Sequence, residues 1–527
     1  MVILKRISKF KYQFSGSPEQ ETTIRNALSV RTEGYQFTQA FKDWGWDGKH
    51  KFYNKQNIFL FGLLNIVTKK LTEKNIPFKI IDEIKLVKVL TDNLDLRLYV
   101  HQKEGINQFF LKNFGIILIP TRGGKTFTAA EGIRLVLEQH QNQKVIFVVD
   151  GIDLLNQTIK EISNFLNIPK KNIGTIQGEV FEPKQITLAT VQTIQSIIAA
   201  KIRKTKKPLS QEKILLKTKE NRLRKKALLD YFKTVKFGIF DEIHDCMASD
   251  SRISILKYFD FDFLLGLSAT PYKSGETEED MNSVANLNLM ANFGGIVYTV
   301  EEEVLRGRGV LAKDKVLLLL IPHKFEDYEV RHLEENEPEQ SAKRYQYYEN
   351  RVIFDNKDRD SIILQIISIV RKLKVKTLML FESVRHGKNI EKLSGEKFLS
   401  GENNKDERYH YTKHFLLGKG KILLASDIYK KGITLPEVSI LCNVDGGRED
   451  SLIIQRRGRA LGATENKQNA IIIDLIDEYG EFFSDHSLNR IKVYEQKVGI
   501  DNIDVIDTSD ADFNKLLFDY LSNFSKL

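Results

Sequence analysis

The feature that most constrains this fold is a rhythm. From about residue 95, short apolar runs alternate with stretches of helical spacing. The runs are Ile116–Ile119, Val145–Val149, Ile186–Ala189, Phe237–Phe240 and Phe263–Leu267, with Phe127–Gln139 and Ile152–Phe165 reading as helices. The rhythm restarts after a Glu-, Tyr- and Lys-rich break near residues 322–350, with Thr377–Phe381, Lys421–Ala425, Val438–Asn443 and Ala470–Leu475. Runs this short and this continuously apolar suit strands buried on both faces. Strands alternating with helices imply βαβ units and a parallel sheet. The expected fold class is therefore α/β, with two tandem parallel-sheet domains at 93–310 and 311–500. A small α/β domain, 1–92, precedes them. An acid-rich tail, 501–527, follows and is expected to be peripheral or helical.

Composition narrows the class. The 527 residues are 42% hydrophobic and 28% charged, which excludes a disordered or low-complexity polymer. Two cysteines, Cys246 and Cys442, are too few for a disulfide framework or a Cys-rich zinc site, and they suit a reducing interior. No apolar run approaches the roughly 18–20 residues of a membrane span, and the N-terminus is too charged for a signal peptide. The expectation is a soluble intracellular protein with no membrane partner.

Charge points to an acidic polymer as partner. The formal net charge is +10, and residues 201–236 carry fourteen Lys and Arg against Glu212, Glu220 and Asp230. That one segment exceeds the whole chain's excess. It reads as a solvated helical hairpin or as an arm that grips DNA. The aromatics of the first domain (Tyr35, Phe37, Phe41, Trp44, Trp46, Phe52 and Tyr53) read as its core or as a stacking surface for nucleic acid.

Four motifs carry chemistry. Pro120-Thr121-Arg122-Gly123-Gly124-Lys125-Thr126 lies between an expected strand and an expected helix. Glycines there let backbone N–H groups wrap phosphates, Lys125 would meet the β- and γ-phosphates, and Thr126 would ligate Mg²⁺. Ile119 stands where the usual loop begins with Gly. Asp241-Glu242-Ile243-His244 ends the run Phe237–Phe240, so Asp241 would hold Mg²⁺ and Glu242 would polarise the attacking water. Ser268-Ala269-Thr270 could couple a nucleotide site to a moving partner. Gln455-Arg456-Arg457-Gly458-Arg459 offers guanidinium groups for a transferring phosphoryl.

In this order the four motifs resemble the superfamily-two helicases, from about residue 95 to 480. The resemblance implies two RecA-like domains with ATP and Mg²⁺ in the cleft between them, Arg459 and Gln455 acting at the γ-phosphate, and His244, Ser268 and Thr270 coupling hydrolysis to movement. It further implies that Gln102 reads adenine, that Thr190, Gln192, Ser383 and Arg385 contact nucleic acid, and that Asp427 and Gly432 link the strand to the ATP site. Thr121, Gly123 and Gly124 complete the nucleotide loop.

Glu33-Gly34-Tyr35-Gln36-Phe37, Trp46-Asp47-Gly48, Phe61-Gly62-Leu63 and Asn489-Arg490-Ile491 further resemble the recombination helicases of T-even bacteriophages. That resemblance implies a monomeric helicase in the host cytoplasm. It would act on branched, single-stranded and duplex DNA without sequence specificity, and on RNA–DNA hybrids. An RNA helicase with the same motor and a non-catalytic annealing protein are the alternatives. Three departures stand out: Gly462 replaces a second arginine, Asp150-Gly151 replaces a Pro-Thr-like pair, and the basic segment is an insertion.

Overall fold

The computed structural model describes residues 1–32, 35–37, 39–199, 211–247, 249–270, 283–323, 342–426, 438–445, 453, 456–458, 462–463, 467–478 and 480–525. The chain forms two compact units, one of Met1–Pro120 and Gly124–Val300 and the other of Thr121–Gly123 and Glu301–Leu527.

The first unit opens with a small sheet of β1 (Val2–Ser8), β2 (Lys11–Ser15), β5 (Ile58–Leu60) and β6 (Phe78–Ile81), ordered β5-β2-β1-β6. A two-stranded ribbon, β3 (Ser29–Arg31) with β4 (Lys49–Lys51), lies beside it. Helices α1 (Pro18–Ala27), α2 (Gln39–Trp44) and α3 (Leu64–Glu73) complete this part. Alternation decides its faces: along β2, Tyr12 and Phe14 are buried and Lys11, Gln13 and Ser15 are exposed. Helix α1 starts at a capping box in which Ser17 and Gln20 bond each other's backbone N–H groups. The aromatics of this part divide by burial. Phe52 and Tyr53 pack against the core, while Trp44 is 82% exposed.

The larger sheet of this unit contains β7 (Phe114–Leu118), β8 (Lys144–Val149), β9 (Ile173–Gln177), β10 (Val180–Glu182), β11 (Ile186–Thr190), β12 (Val235–Asp241), β13 (Phe263–Ser268) and β14 (Ile296–Thr299). Their order is β10-β9-β11-β8-β12-β13-β7-β14, parallel except for the β9–β10 hairpin. Each central strand is buried along nearly its whole length, so both faces need covering. Helix α4 (Val100–Lys112) precedes β7, and α5 (Lys125–Gln139), α6 (Ile152–Leu166), α7 (Val191–Ala199) and α8 (Gln211–Thr234) connect later strands. The expected helix at Phe127 starts two residues earlier, on the loop lysine. The hairpin and β14 break no long apolar run and were not expected.

The second unit is a seven-stranded parallel sheet of β15 (Lys313–Pro322), β16 (Thr377–Phe381), β17 (Phe398–Leu399), β18 (Ile422–Ser426), β19 (Ile440–Asn443), β20 (Asn469–Glu478) and β21 (Ile503–Asp507). The order is β17-β18-β16-β19-β20-β15-β21. The acid-rich tail is not peripheral. Its strand β21 pairs with β15 from Val316↔Ile503 onward, and the helix Phe513–Ser525 buries Phe513, Leu517 and Leu521 in the sheet's core. Alternating acids had hidden an edge strand. The fold is α/β, with two RecA-like domains and a small N-terminal α/β domain. Among the described residues no helix is long and apolar enough to cross a membrane.

Candidate functional site

In the first RecA-like domain three expected motifs leave the carboxyl ends of neighbouring strands. The glycine loop follows β7, Asp-Glu-x-His follows β12, and Ser-Ala-Thr follows β13, and these strands are adjacent in the order β12-β13-β7. Parallel pairing forces their ends to one edge, where such folds bind ligands.

The loop enters α5 through Gly124, whose φ of +89° a side chain rarely adopts. A Cβ at Gly124 would also collide with the amide nitrogen of Gln102. No side chain caps α5, so the first N–H groups of that helix have no side-chain acceptor. Such a terminus suits phosphate. Lys125, the first residue of α5, donates to Glu242 Oε1. Burial alone would raise the Glu242 carboxyl, but Lys125 and His244 outweigh it and hold the group below its ordinary range. Glu242 is also held at φ +45°, an uncommon conformation for a non-glycine residue.

Asp241 is buried, and burial pushes its carboxyl up to about 6 against the pull of Lys125. Among the described residues it accepts one hydrogen bond, from the N–H of Glu242 at 3.0 Å. A buried carboxylate with no cation bonded to it, together with the half-buried Thr126 hydroxyl at the helix start, fits the ligand set of a phosphate-bound Mg²⁺.

His244, Ser268 and Thr270 also converge. His244 Nδ1 lies 2.8 Å from Ser268 Oγ, which accepts from the N–H of Thr270 at 3.0 Å and lies 3.4 Å from Glu242 Oε2. A line of polar contacts thus runs from Lys125 through Glu242 to the end of β13.

Gln102 is buried, accepts from the N–H of Tyr99 at 2.9 Å and reaches the carbonyl of Gly124 at 3.4 Å. Beside it lies a pocket of about 290 Å³ walled by Arg97, Tyr99, Phe127 and Phe165. The Arg97 guanidinium sits 4.5 Å from the Phe165 ring centroid. Sequence reading missed these four residues. The exposed aromatics Tyr99 and Phe127 flanking Gln102 and the glycine loop were the available signal.

The expected nucleic-acid residues are placed unequally. Gln192 is exposed, and its amide donates to Asp150, the residue that replaces the Pro-Thr-like pair. Thr190 is buried, with its hydroxyl 2.8 Å from that of Thr193. Both line a groove of about 540 Å³ whose other wall is Lys217 and Arg224 of α8. In the second domain Ser383 caps a helix by accepting from the N–H of His386. Arg385 is exposed and donates to Asn350 and Asp355 at 2.8 and 3.0 Å.

The Ser383 loop rests on a buried charged network that sequence reading did not reveal. Asp445 Oδ2 accepts from the N–H groups of Glu382 and Ser383 at 2.8 and 3.1 Å. Its other oxygen is 2.6 Å from His386 Nδ1, and His386 Nε2 is 3.0 Å from Asp360. Burial lowers the His386 pKa, but the Asp445 charge and the bonds to both carboxylates outweigh it and raise it to about 9.

The arginine motif is divided. Arg457 is buried and gives its donors to Asp314 and Glu302 at 2.6–3.1 Å. Arg456 is buried against Asn443, with Glu382 at 3.5 Å. Both therefore act as internal ties of the second domain. Gln455, Arg459, Asp427 and Gly432 lie outside the described residues.

Comparison with known proteins agrees with this geometry. A family model described as the type III restriction enzyme res subunit matches residues 95–273, and one described as the helicase conserved C-terminal domain matches 358–463. Together they span more than half of the chain. The ATP-dependent DNA helicase UvsW of Enterobacteria phage T4 is 22% identical over 510 residues, 91% of this chain and 92% of UvsW. The DNA 3'-5' translocase XPB2 of Sulfurisphaera tokodaii is 22% identical over 78% of this chain and 88% of its own. The fold is similar to that of S. cerevisiae Dbp5 bound to RNA and ADP BeF3, with a TM-score of 0.50 and 14% identity, over 82% of this chain and 98% of that one. The chain belongs to the superfamily-two helicases, and its two RecA-like domains form an ATP-hydrolysing motor.

Proposed function

We propose that this helicase is an ATP-driven DNA translocase acting on branched DNA. Its reactions would be fork regression, junction branch migration, unwinding of RNA–DNA hybrids and annealing of complementary strands. It would serve phage recombination, repair and replication as a monomer in the host cytoplasm. One observation carries this reading: the likeness to UvsW runs through 91% of the chain and 92% of UvsW, more of the chain than two motor domains alone take up.

Each residue has a role consistent with its surroundings. The pocket of Tyr99, Phe127 and Gln102 takes the adenine of ATP. Thr121, Gly123 and Gly124 offer backbone to the phosphates, and Lys125 moves from Glu242 to the β- and γ-phosphates. Thr126 and Asp241 would hold Mg²⁺, which supplies charge neutralisation of the phosphates when bound. Glu242, freed from Lys125 and ionised, takes the proton of the attacking water. Arg459, with Gln455, stabilises the charge that develops on the γ-phosphoryl. His244, Ser268 and Thr270 relay the state of Glu242 to the end of β13.

Gln192, Thr190, Ser383 and Arg385 would meet phosphates of the tracked strand, with Asp427 and Gly432 linking it to the ATP site. Phosphate contacts position a protein without reading bases, so no sequence specificity is expected. The N-terminal domain, with the exposed Trp44, would meet the branch.

The test is ATP hydrolysis by the wild type and Glu242→Gln with no nucleic acid, single-stranded DNA, forked DNA, a four-way junction and RNA. Strongest stimulation by branched DNA, lost in the variant, is the expected result. Stimulation by RNA alone would make the protein an RNA helicase. Binding without hydrolysis would make it an annealing protein.

A further inference from the structure

Helix α8 turns two different stripes outward. Lys217, Asn221 and Arg224, at helical spacing, line the groove that holds Thr190 and Gln192. On that side Arg224 is engaged by Glu179 at 3.1 Å and by the carbonyl of Gly178 at 2.6 Å. The other stripe is Arg222, Lys225, Lys226 and Lys233, which with Tyr258 wall a separate hollow of about 450 Å³. At the edge of the hollow, the exposed Lys257 holds its ammonium 5.1 Å from the Tyr258 ring centroid. The one carboxylate in the hollow, Asp230, pairs with Lys233 at 3.0 Å. Among the described residues no carboxylate pairs with Arg222, Lys225 or Lys226.

This stripe is anchored. Leu228, Tyr231 and Phe232, on the inner side of α8, are buried in the core, and Phe232 stacks on Phe259 with centroids 4.0 Å apart. The backbone positions of the cations are therefore fixed at three- and four-residue spacing, where like charges repel. A fixed stripe of one sign is complementary to a polyanion, and Arg222 suits phosphate in particular. The hollow has a single aromatic, half-buried Tyr258, rather than the successive aromatics on which single-stranded bases stack. From Arg222 to Lys233 the helix rises ~16 Å at about 1.5 Å per residue. That matches roughly five phosphates along one strand of a duplex.

We propose that this face of α8, with Arg222, Lys225, Lys226, Lys233 and Lys257, is a second DNA-binding site that grips the phosphate backbone of a duplex arm. It is distinct from the strand track at Thr190 and Gln192, and it rests on the reading of the protein as a DNA translocase.

The test uses the full chain with Arg222→Gln, Lys225→Gln and Lys226→Gln combined. Fluorescence anisotropy at a series of salt concentrations measures binding to a fork with a duplex arm and to its single-stranded tail alone. On the fork, the slope of log K against log salt is expected to fall by about 2 to 3. Affinity for the tail is expected to change by less than roughly twofold, because the track is untouched. An unchanged fork slope overturns the proposal, and so does an equal loss on the tail, which would make this face part of the track. If the wild type binds neither DNA, the translocase reading itself fails. The thermal midpoint is expected to stay at or above that of the wild type, since like-charge repulsion is relieved. Should the triple variant unfold, Lys233→Gln with Lys257→Gln reads the same site from its other edge, and an unchanged fork slope there overturns it equally.

Discussion

The ammonium of Lys125, at the first residue of α5, donates to the carboxylate of Glu242, at the end of β12. The ammonium outweighs the effect of burial on Glu242 and favours its ionised form, and a phosphate arriving at the loop would compete for the lysine. Glu242→Gln is expected to lower ATP turnover by roughly 10²–10⁴-fold while nucleotide binding persists. Lys125→Ala is expected to weaken nucleotide binding itself. Steady-state hydrolysis and a fluorescent-nucleotide titration separate the two.

Gly124 and Gln102 form a second linked pair. Gly124→Ala places a Cβ against the Gln102 amide at a φ of +89°, so a loss of about 1–3 kcal/mol in stability is expected from strain. Gln102→Ala introduces no backbone strain but removes the side chain's bonds to the Tyr99 N–H and the Gly124 carbonyl, and it is expected to reduce discrimination of ATP over GTP by roughly tenfold, one hydrogen bond's worth. Thermal melts and competition hydrolysis read these outcomes.

Arg457 and Arg459 are two residues apart and are expected to fail differently. Arg457→Ala leaves Arg306 to pair with both Asp314 and Glu302, whose side chains are 1% and 13% exposed, and is expected to destabilise the second domain by about 2–3 kcal/mol. Arg459→Ala is expected to cost on the order of 10³-fold in turnover without a matching loss of stability. Urea unfolding set beside hydrolysis assigns each arginine.

His386 predicts a pH dependence. Its folded pKa of about 9 exceeds the ordinary 6.5, so its contribution is fully present below pH 6.5 and disappears as pH rises through 9. The difference corresponds to on the order of 3 kcal/mol. Unfolding of the wild type is expected to become easier across that window, and His386→Gln is expected to flatten the dependence while lowering stability at neutral pH. Asp445→Asn is expected to loosen the Ser383 loop, read as faster amide exchange at Glu382 and Ser383, whose N–H groups Asp445 holds.

The chain's local chemistry determined a good deal alone. Continuous apolar runs such as Val145–Val149 have one stable use, a strand buried on both faces, and their alternation with helices fixed the parallel sheets. Gly124-Lys125-Thr126, Asp241-Glu242 and Ser268 were legible because each sits at the end of such a run, where a parallel sheet gathers its functional side chains. What the tertiary structure decided depends on groups distant in sequence. The pocket beside Gln102 needs Arg97 and Phe165 from distant parts of the chain, and the His386 network needs Asp360 and Asp445. Arg457 looked like its neighbours until Asp314 and Glu302 claimed it. The tail's alternating acids concealed β21, whose stability comes from β15 rather than from its own residues. The two faces of α8 follow from one local pattern, but only packing of Phe232 against Phe259 decided that the two cation stripes line separate grooves. Hydrophobic runs and turns act over a few residues, whereas ion pairs and pockets exist only once the sheet has brought their parts together.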